Sequence, residues 1–112
     1  MKPLRLVELS PGEYSLVLDA GSTDVDHVIE ECGHEPNGYF WEGVVQVLVS
    51  AEAPTLDGRF SYNCEGGMFC ADGTDRNVLE ELATRLGALA TDAERMRRLI
   101  TSAEADGFEF DD

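Results

Sequence analysis

The spacing of apolar residues along the chain predicts two β-hairpins, each followed by two helices. The opening runs LRLVEL and YSLVLDA are short apolar strands, and the pair Pro11-Gly12 favours a tight turn between them. The second hairpin follows the break at APTLDG, where RFSYNC alternates polar and apolar residues and EGG turns the chain into MFCA. Antiparallel pairing is therefore expected in both halves of the chain.

Apolar residues three and four positions apart predict the four helices. The four stripes are Val25, Val28, Ile29 and Cys32; Phe40, Val44, Val47, Leu48 and Ala51; Val78, Leu82, Leu86 and Leu89; and Met96, Leu99, Ile100 and Ala103. In the second stripe the density of valine favours a strand, but a run of about a dozen residues is longer than a typical strand. We therefore predict a helix there.

Polar residues that suit an N-cap precede three of these helices. Ser22 and Thr23 precede the first helix and Thr74 and Asp75 the third, while Thr91 with Glu94 forms a capping-box pattern before the fourth. These residues predict where the helices begin.

The predicted order of elements is ββααββαα. It indicates an α+β fold in which an antiparallel four-stranded sheet has helices packed on one face. Residues 1–106 are predicted to form a single α+β domain and residues 107–112 a frayed acidic C-terminal tail, from which Phe108 or Phe110 can pack back. AGSTDVDHVIEE and ADGTDRNVLEE share a Thr-Asp pair and an apolar-apolar-Glu-Glu run. Either an internal duplication or the same capping rules obeyed twice explains this similarity.

Charge is unevenly distributed along the chain. The chain contains eight basic and 23 acidic residues, which gives a formal net charge of −15. No lysine or arginine lies between Arg5 and Arg59, and the acidic residues of that interval are Glu8, Glu13, Asp19, Asp24, Asp26, Glu30, Glu31, Glu35, Glu42, Glu52 and Asp57. Nucleic acid and anionic membranes would be repelled, so neither is expected as a partner. Two interpretations stay open: a surface that promotes solubility, and a surface complementary to a basic protein.

Apolar runs and cysteine content predict the cellular location of the protein. No apolar run approaches the roughly 20 residues of a membrane span, and the start of the chain lacks the apolar core of a signal peptide. Three cysteines are an odd number without a secretory signal, which fits reduced thiols. A cytoplasmic protein with three free cysteines is expected.

Local motifs of catalysis and metal binding are not recognisable in the sequence. Cys32 and His34 are close, but no CxxC pair accompanies them, and Cys32 falls on an apolar helix stripe that suits the core. The glycines of EGGMFCADG lack the spacing of a phosphate-binding loop. We therefore predict no metal, no cofactor and no enzymatic activity.

The stretch HEPNGYFWEGV, residues 34–44, is predicted to be divided between core and surface. Phe40 begins the apolar stripe, whereas Tyr39 and Trp41 flank it, and at least one of these two is expected to stay partly exposed as an aromatic anchor. The opposing interpretation is that Trp41 is wholly buried as the largest residue of the core. The predicted partner-binding residues are His34, Glu35, Asn37, Tyr39, Trp41 and Glu42, with Asp24, Asp26, Glu30 and Glu31 on the polar side of the first helix.

The same stretch carries a family resemblance. The runs GHEPNGYFW at residues 33–41 and EGGMF at residues 65–69, within a likeness from about Leu16 to Ala105, resemble the immunity protein 51 family of bacterial polymorphic toxin systems. The resemblance implies an α+β protein, encoded beside a toxin gene, that protects the producing cell by binding the cognate toxin. Together with the acidic composition, it predicts neutralisation of a toxin with a basic surface, and it brings no catalytic residues with it.

Two other functions also fit the sequence. One is an acidic adaptor domain without a toxin partner, which an adjacent toxin gene would argue against. The other is a small ligand-binding or enzyme domain, for which a pocket with converging polar groups near Trp41 would be expected. The oligomeric state is left open.

Overall fold

The computed structural model, which describes residues 4–111, contains four strands and four helices in the predicted order. The strands are β1 (Leu4–Ser10), β2 (Glu13–Asp19), β3 (Ser61–Tyr62) and β4 (Met68–Gly73), and the helices are α1 (Asp26–Glu31), α2 (Gly38–Glu52), α3 (Arg76–Ala90) and α4 (Ala93–Ala105). A 3₁₀ turn at Pro54–Leu56 follows α2. The predicted α+β class and order of elements are confirmed.

The sheet is antiparallel, with the strand order β1-β2-β4-β3. β1 and β2 form the predicted hairpin, and Gly12 in its turn has a φ of 83°, which glycine adopts without the steric cost of a side chain. The central strands β2 and β4 place Leu16 opposite Ala71 and Leu18 opposite Phe69. The pairing of β2 with β4 therefore joins the two halves of the chain.

One face of the sheet supports the helices. Leu16, Leu18 and Phe69 are fully buried on that face, where α2 and α3 pack against the strands. Val7 lies on the opposite face, because neighbouring residues of a strand point to opposite sides, and it is exposed. The predicted packing of helices on one face is confirmed.

Helix α2 supplies much of the core, and the prediction of a helix for FWEGVVQVLVSA is confirmed. Its buried face is rotated from the predicted stripe, however. Trp41, Val45 and Leu48 are wholly buried, whereas Val47 is half-buried and Ala51 is exposed. Trp41, Val45 and Leu48 are spaced i, i+4 and i+7, so they define the centre of the buried face.

Two predicted helix starts are wrong. The N-cap of α4 is Asp92, which accepts a backbone N–H one turn later, while the Thr91 hydroxyl donates to the Gly87 carbonyl at 3.1 Å in the last turn of α3. Aspartate caps as well as threonine does, so the helix begins one residue further on. Helix α1 begins only at Asp26, and the Thr23 hydroxyl donates a hydrogen bond to the Asp26 carboxylate instead of capping the helix.

The C-terminal segment packs against α2. The Phe110 ring centroid lies 5.0 Å from that of Phe40 and 5.4 Å from that of His34, and Phe108 lies 4.8 Å from Phe110. Gly43 provides the space, since a Cβ there would be 2.9 Å from the Phe110 ring. Both phenylalanines thus pack back on the domain.

The two stretches that carry the family resemblance meet at the start of α2. The Gly38 N–H donates to the Gly66 carbonyl at 3.0 Å, and a Cβ on Gly38 would lie 1.9 Å from the Glu65 carbonyl oxygen. The Ala20 N–H donates to the Gly67 carbonyl at 3.1 Å. The EGG turn therefore rests on both the helix start and the end of β2, and only glycine fits at position 38.

All three cysteines are free, as predicted. The Cys70 sulfur lies 2.9 Å from the Ser15 hydroxyl, and the Cys64 sulfur accepts the Cys70 backbone N–H at 3.4 Å. Burial raises the pKa of the Cys64 thiol to about 12, and the Glu42 carboxylate beside it adds to the increase. A raised pKa reduces the thiolate fraction at neutral pH, and the thiolate is the reactive form.

We expect thiol titration of the denatured protein under non-reducing conditions to find three thiols. In the native protein the same reagent should react slowly, because the sulfurs of Cys64 and Cys70 are shielded and protonated. A count of one thiol after denaturation would contradict this prediction.

Candidate functional site

The predicted partner-binding residues divide into those with a structural role and those that face solvent. Trp41 belongs to the first group: it is 0% exposed, so its prediction as a surface residue is corrected to a core residue. The reason is the rotation of α2, which turns Trp41 towards the interior and leaves Tyr39, two residues earlier, 47% exposed. The expectation that at least one of the two stays partly exposed is thus met by Tyr39.

Asn37 and His34 also have structural roles. Asn37 caps α2 by accepting the Phe40 N–H at 2.9 Å. The His34 side chain is 12% exposed, its ring packs against those of both Phe40 and Phe110, and its Nε2 is 2.9 Å from the Glu104 carboxylate. His34 therefore links the loop before α2 to α4 and the C-terminal segment.

The acidic residues around α1 are only partly available to a partner. Glu31 forms an ion pair with Arg97 of α4 at 2.8 Å, and Asp26 accepts the Thr23 hydroxyl. Asp24 and Glu30 are exposed. This group lies on a different element from Tyr39, so the structure separates the predicted site into two acidic regions.

A small surface cavity of about 90 Å³ lies beside Tyr39. The side chains around it come from α2 and from the C-terminal segment: Tyr39, Glu42, Gln46, Phe108, Glu109 and Asp111. We call these six residues the Tyr39 surface. It combines an exposed aromatic ring with three carboxylates.

The carboxylates of the Tyr39 surface carry uncompensated charge. Within residues 4–111, none of Glu42, Glu109 and Asp111 forms an ion pair, whereas Arg85 and Arg95 both contact Glu52 at the C-terminal end of α2. An unpaired group of like charges attracts a cation at low ionic strength. The arginines of α3 and α4 thus neutralise other acids and leave this region negative.

A neighbouring depression of about 380 Å³ extends the acidic region along α2. It shares Gln46 with the Tyr39 surface and adds Asp57 and Tyr62. Burial raises the pKa of Tyr62 to about 12, and the Glu42 and Asp57 carboxylates add to the increase. Both carboxylates therefore oppose ionisation of the same half-buried phenol.

Four residues of the Tyr39 surface were missed by the sequence reasoning: Gln46, Phe108, Glu109 and Asp111. For the three C-terminal residues, the sequence offered one indication, which is the alternation of phenylalanine and acidic residues in GFEFDD. Apolar residues at alternate positions of an acidic tail suggest an extended segment that packs one side against the domain. Its docking site on α2 depends on Gly43, which has no distinctive pattern in the sequence.

The cavity beside Tyr39 itself suits contact with a macromolecule better than the binding of a small molecule. A cavity of about 90 Å³ is well below the several hundred Å³ typical of ligand sites. Across residues 4–111 no group of three metal-ligating side chains comes together. In the same part of the chain, no helix is long and apolar enough to cross a membrane.

Fold and surface together define a small, strongly acidic α+β protein whose exposed aromatic and carboxylate side chains form a shallow surface. Comparison with models of protein families identifies the family to which this protein belongs. The chain belongs to the immunity protein 51 family, whose model matches residues 4–105. Comparison with curated proteins and with solved structures gives no match.

Proposed function

We propose that this protein binds and neutralises a cognate bacterial toxin through the Tyr39 surface. The observation that supports this most directly is the exposed ring of Tyr39 beside three carboxylates that form no ion pair within residues 4–111, in a member of an immunity protein family. Tyrosine is enriched at binding hot spots, where a rigid ring is buried on association. Asp24 and Glu30 belong to a separate exposed acidic region around α1, and Glu35 is exposed in the loop before α2.

The partner expected from this chemistry is a protein with a basic surface. Opposite potentials on two proteins accelerate their encounter and orient them before contact. A toxin that acts on nucleic acid has such a surface at its substrate cleft, and an acidic protein seated there would exclude the substrate. Neutralisation would take place in the cytoplasm of the producing cell, without nucleic acid, cofactor or catalysis by this chain.

Co-expression with the toxin encoded by the neighbouring gene tests the function. The wild-type protein should restore growth to cells that express the toxin, and the two purified proteins should form a complex. Failure of the wild-type protein to restore growth or to bind would refute the immunity function itself.

Substitutions in the Tyr39 surface test its location. Tyr39→Ala should weaken toxin binding by about 2 kcal/mol or more, roughly thirtyfold in Kd, because the ring is the exposed aromatic anchor. Glu42→Gln should mainly slow association, and the wild-type association rate should fall steeply above about 0.1 M salt, where the Debye length drops below about 10 Å.

Two controls separate binding from folding. Glu94→Gln removes an exposed carboxylate on α4, away from the Tyr39 surface, and should leave both rate and affinity unchanged. Thermal melts should show Tyr39→Ala to be as stable as wild type. If Tyr39→Ala and Glu42→Gln bind like the Glu94→Gln control, the toxin contacts another part of the protein.

A further inference from the structure

Strand β1 presents an open edge of the sheet. In the order β1-β2-β4-β3 it has a neighbour on one side only, and within residues 4–111 its backbone hydrogen bonds all run to β2. The register shifts between Glu8 and Ser10, so a bulge ends the regular part of the strand there. From Leu4 to Glu8 a row of backbone N–H and C=O groups therefore faces outward, which is a template for another strand.

Both sides of this edge are apolar. On the helix-free face Val7 is 36% exposed, and Leu9, in the bulge at the end of the strand, is 61% exposed. On the helix side, a groove of about 570 Å³ separates β1 from α3. Its apolar lining consists of Leu4, Leu6 and Leu16 from the sheet and Ala83, Gly87 and Ala90 from α3.

The shape of the groove matches the side chains of an added strand. Side chains of a strand alternate between the two faces of a sheet. A segment paired with β1 would thus direct alternate residues into the groove and the intervening ones towards Val7. The small residues of α3 leave the space that such side chains would fill.

Charge distinguishes between the possible occupants of this edge. Glu8 lies on β1 and Asp24 lines the groove, while the charge of Arg5 is balanced by Asp19 at 2.7 Å. A second copy of the chain would bring its own Glu8 to the interface, and each copy has a formal charge of −15. Like charges oppose that pairing, whereas a segment with lysine or arginine among its apolar residues complements the edge.

We propose that β1 and the groove beside α3 bind an extended segment of the partner protein by strand addition. The segment has apolar side chains at alternate positions, which enter the groove, and basic side chains that meet Glu8 and Asp24. Main-chain hydrogen bonds to Leu4–Glu8 supply affinity, and the groove supplies selectivity. This rests on the proposed function, in which the partner is the toxin, and it adds a second contact distinct from the Tyr39 surface.

Filling the groove tests the proposal. Among residues 4–111, a Cβ at Gly87 would meet only Leu4 Cδ2, at 3.6 Å, so Gly87→Leu has room to project into the groove, and it replaces a glycine within a helix. Ala88→Leu adds similar bulk at an exposed position of the same helix and is the matched control. The probe is the purified toxin domain encoded beside this gene, titrated by calorimetry into each folded variant.

Gly87→Leu is expected to weaken toxin binding by about tenfold or more, and Ala88→Leu by less than about twofold. In the wild-type complex, the amides of residues 4–8 should exchange hydrogen more slowly than in the free protein. The hydrogen-exchange measurement uses the wild-type protein, so it tests strand addition even if Gly87→Leu folds poorly.

Two negative results have different meanings. If the toxin binds wild type, Gly87→Leu and Ala88→Leu equally and leaves exchange in β1 unchanged, strand addition is refuted while the immunity function stands. If the toxin does not bind the wild-type protein at all, both the function and this contact are refuted.

Discussion

Replacing Trp41 with alanine is expected to lower the free energy of unfolding by about 3–5 kcal/mol, a large share of the total for a domain of this size. Trp41 is wholly buried at the centre of the buried face of α2, and its ring meets that of Phe40 edge-on at a centroid distance of 6.4 Å. The substitution removes this contact and leaves a cavity that the surrounding core can only partly fill. Thermal and urea unfolding, followed by circular dichroism, measure the loss.

Two neighbouring variants make this prediction specific. Tyr39→Ala removes an exposed ring from the same turn of α2 and should leave the melting temperature nearly unchanged. Trp41→Phe should cost less than Trp41→Ala, because it keeps a ring, and the indole N–H has no hydrogen-bond acceptor within residues 4–111. Equal stability of Trp41→Ala and Tyr39→Ala, or a red-shifted and readily quenched tryptophan emission in the native protein, would disprove burial of Trp41.

The elements of the fold were predictable because their signals are local. A Pro-Gly turn fixes the first hairpin, and Asp75 caps α3 by accepting the Asn77 N–H at 3.0 Å, as the sequence predicts. Local signals fail where two residues compete for the same role. At the start of α4, Asp92 caps in place of the neighbouring Thr91, since both side chains can accept the same backbone N–H groups.

The rotation of α2 was not predictable, because apolar residues occupy more than one side of this helix. Phe40, Val44 and Val47 fit helical spacing, and so do Trp41, Val45 and Leu48. The choice is made by tertiary contacts: the sheet covers one side of α2, and the C-terminal segment covers Phe40 on another. Both sets therefore contribute to the core, and Trp41 lies at its centre.

The candidate site was predictable only as far as it lies in one stretch of sequence. Tyr39 and Glu42 follow a turn-rich loop, which pointed to a surface there. Glu109 and Asp111 join them from the other end of the chain, and the hydrogen bond between His34 and Glu104 spans 70 positions. Such contacts depend on how the helices and strands pack together, so no local sequence pattern indicates them.

Replacing Gly38 with alanine is expected to be about as damaging as the loss of a core side chain, with a cost of about 3 kcal/mol or more, at the upper end of the range for overpacking. The added Cβ would lie 1.9 Å from the Glu65 carbonyl oxygen and 2.2 Å from that of Met68. Both obstacles are backbone atoms, one in the turn before β4 and the other in the first residue of β4, so a change of rotamer cannot relieve the clash. Either α2 or the EGG turn must move, and the hydrogen bond from Gly38 to Gly66 is then lost.

The EGG turn supplies matched controls for this substitution. Gly66→Ala and Gly67→Ala add the same methyl group at positions where it would meet no other part of residues 4–111 within 4 Å, so both should unfold at nearly the wild-type temperature. Gly38→Ala should unfold at a much lower temperature, and hydrogen exchange should show faster opening of the turn and of the first turn of α2. Wild-type stability for Gly38→Ala would mean that the turn does not rest on the helix, and the close contact between the two family motifs would then be wrong.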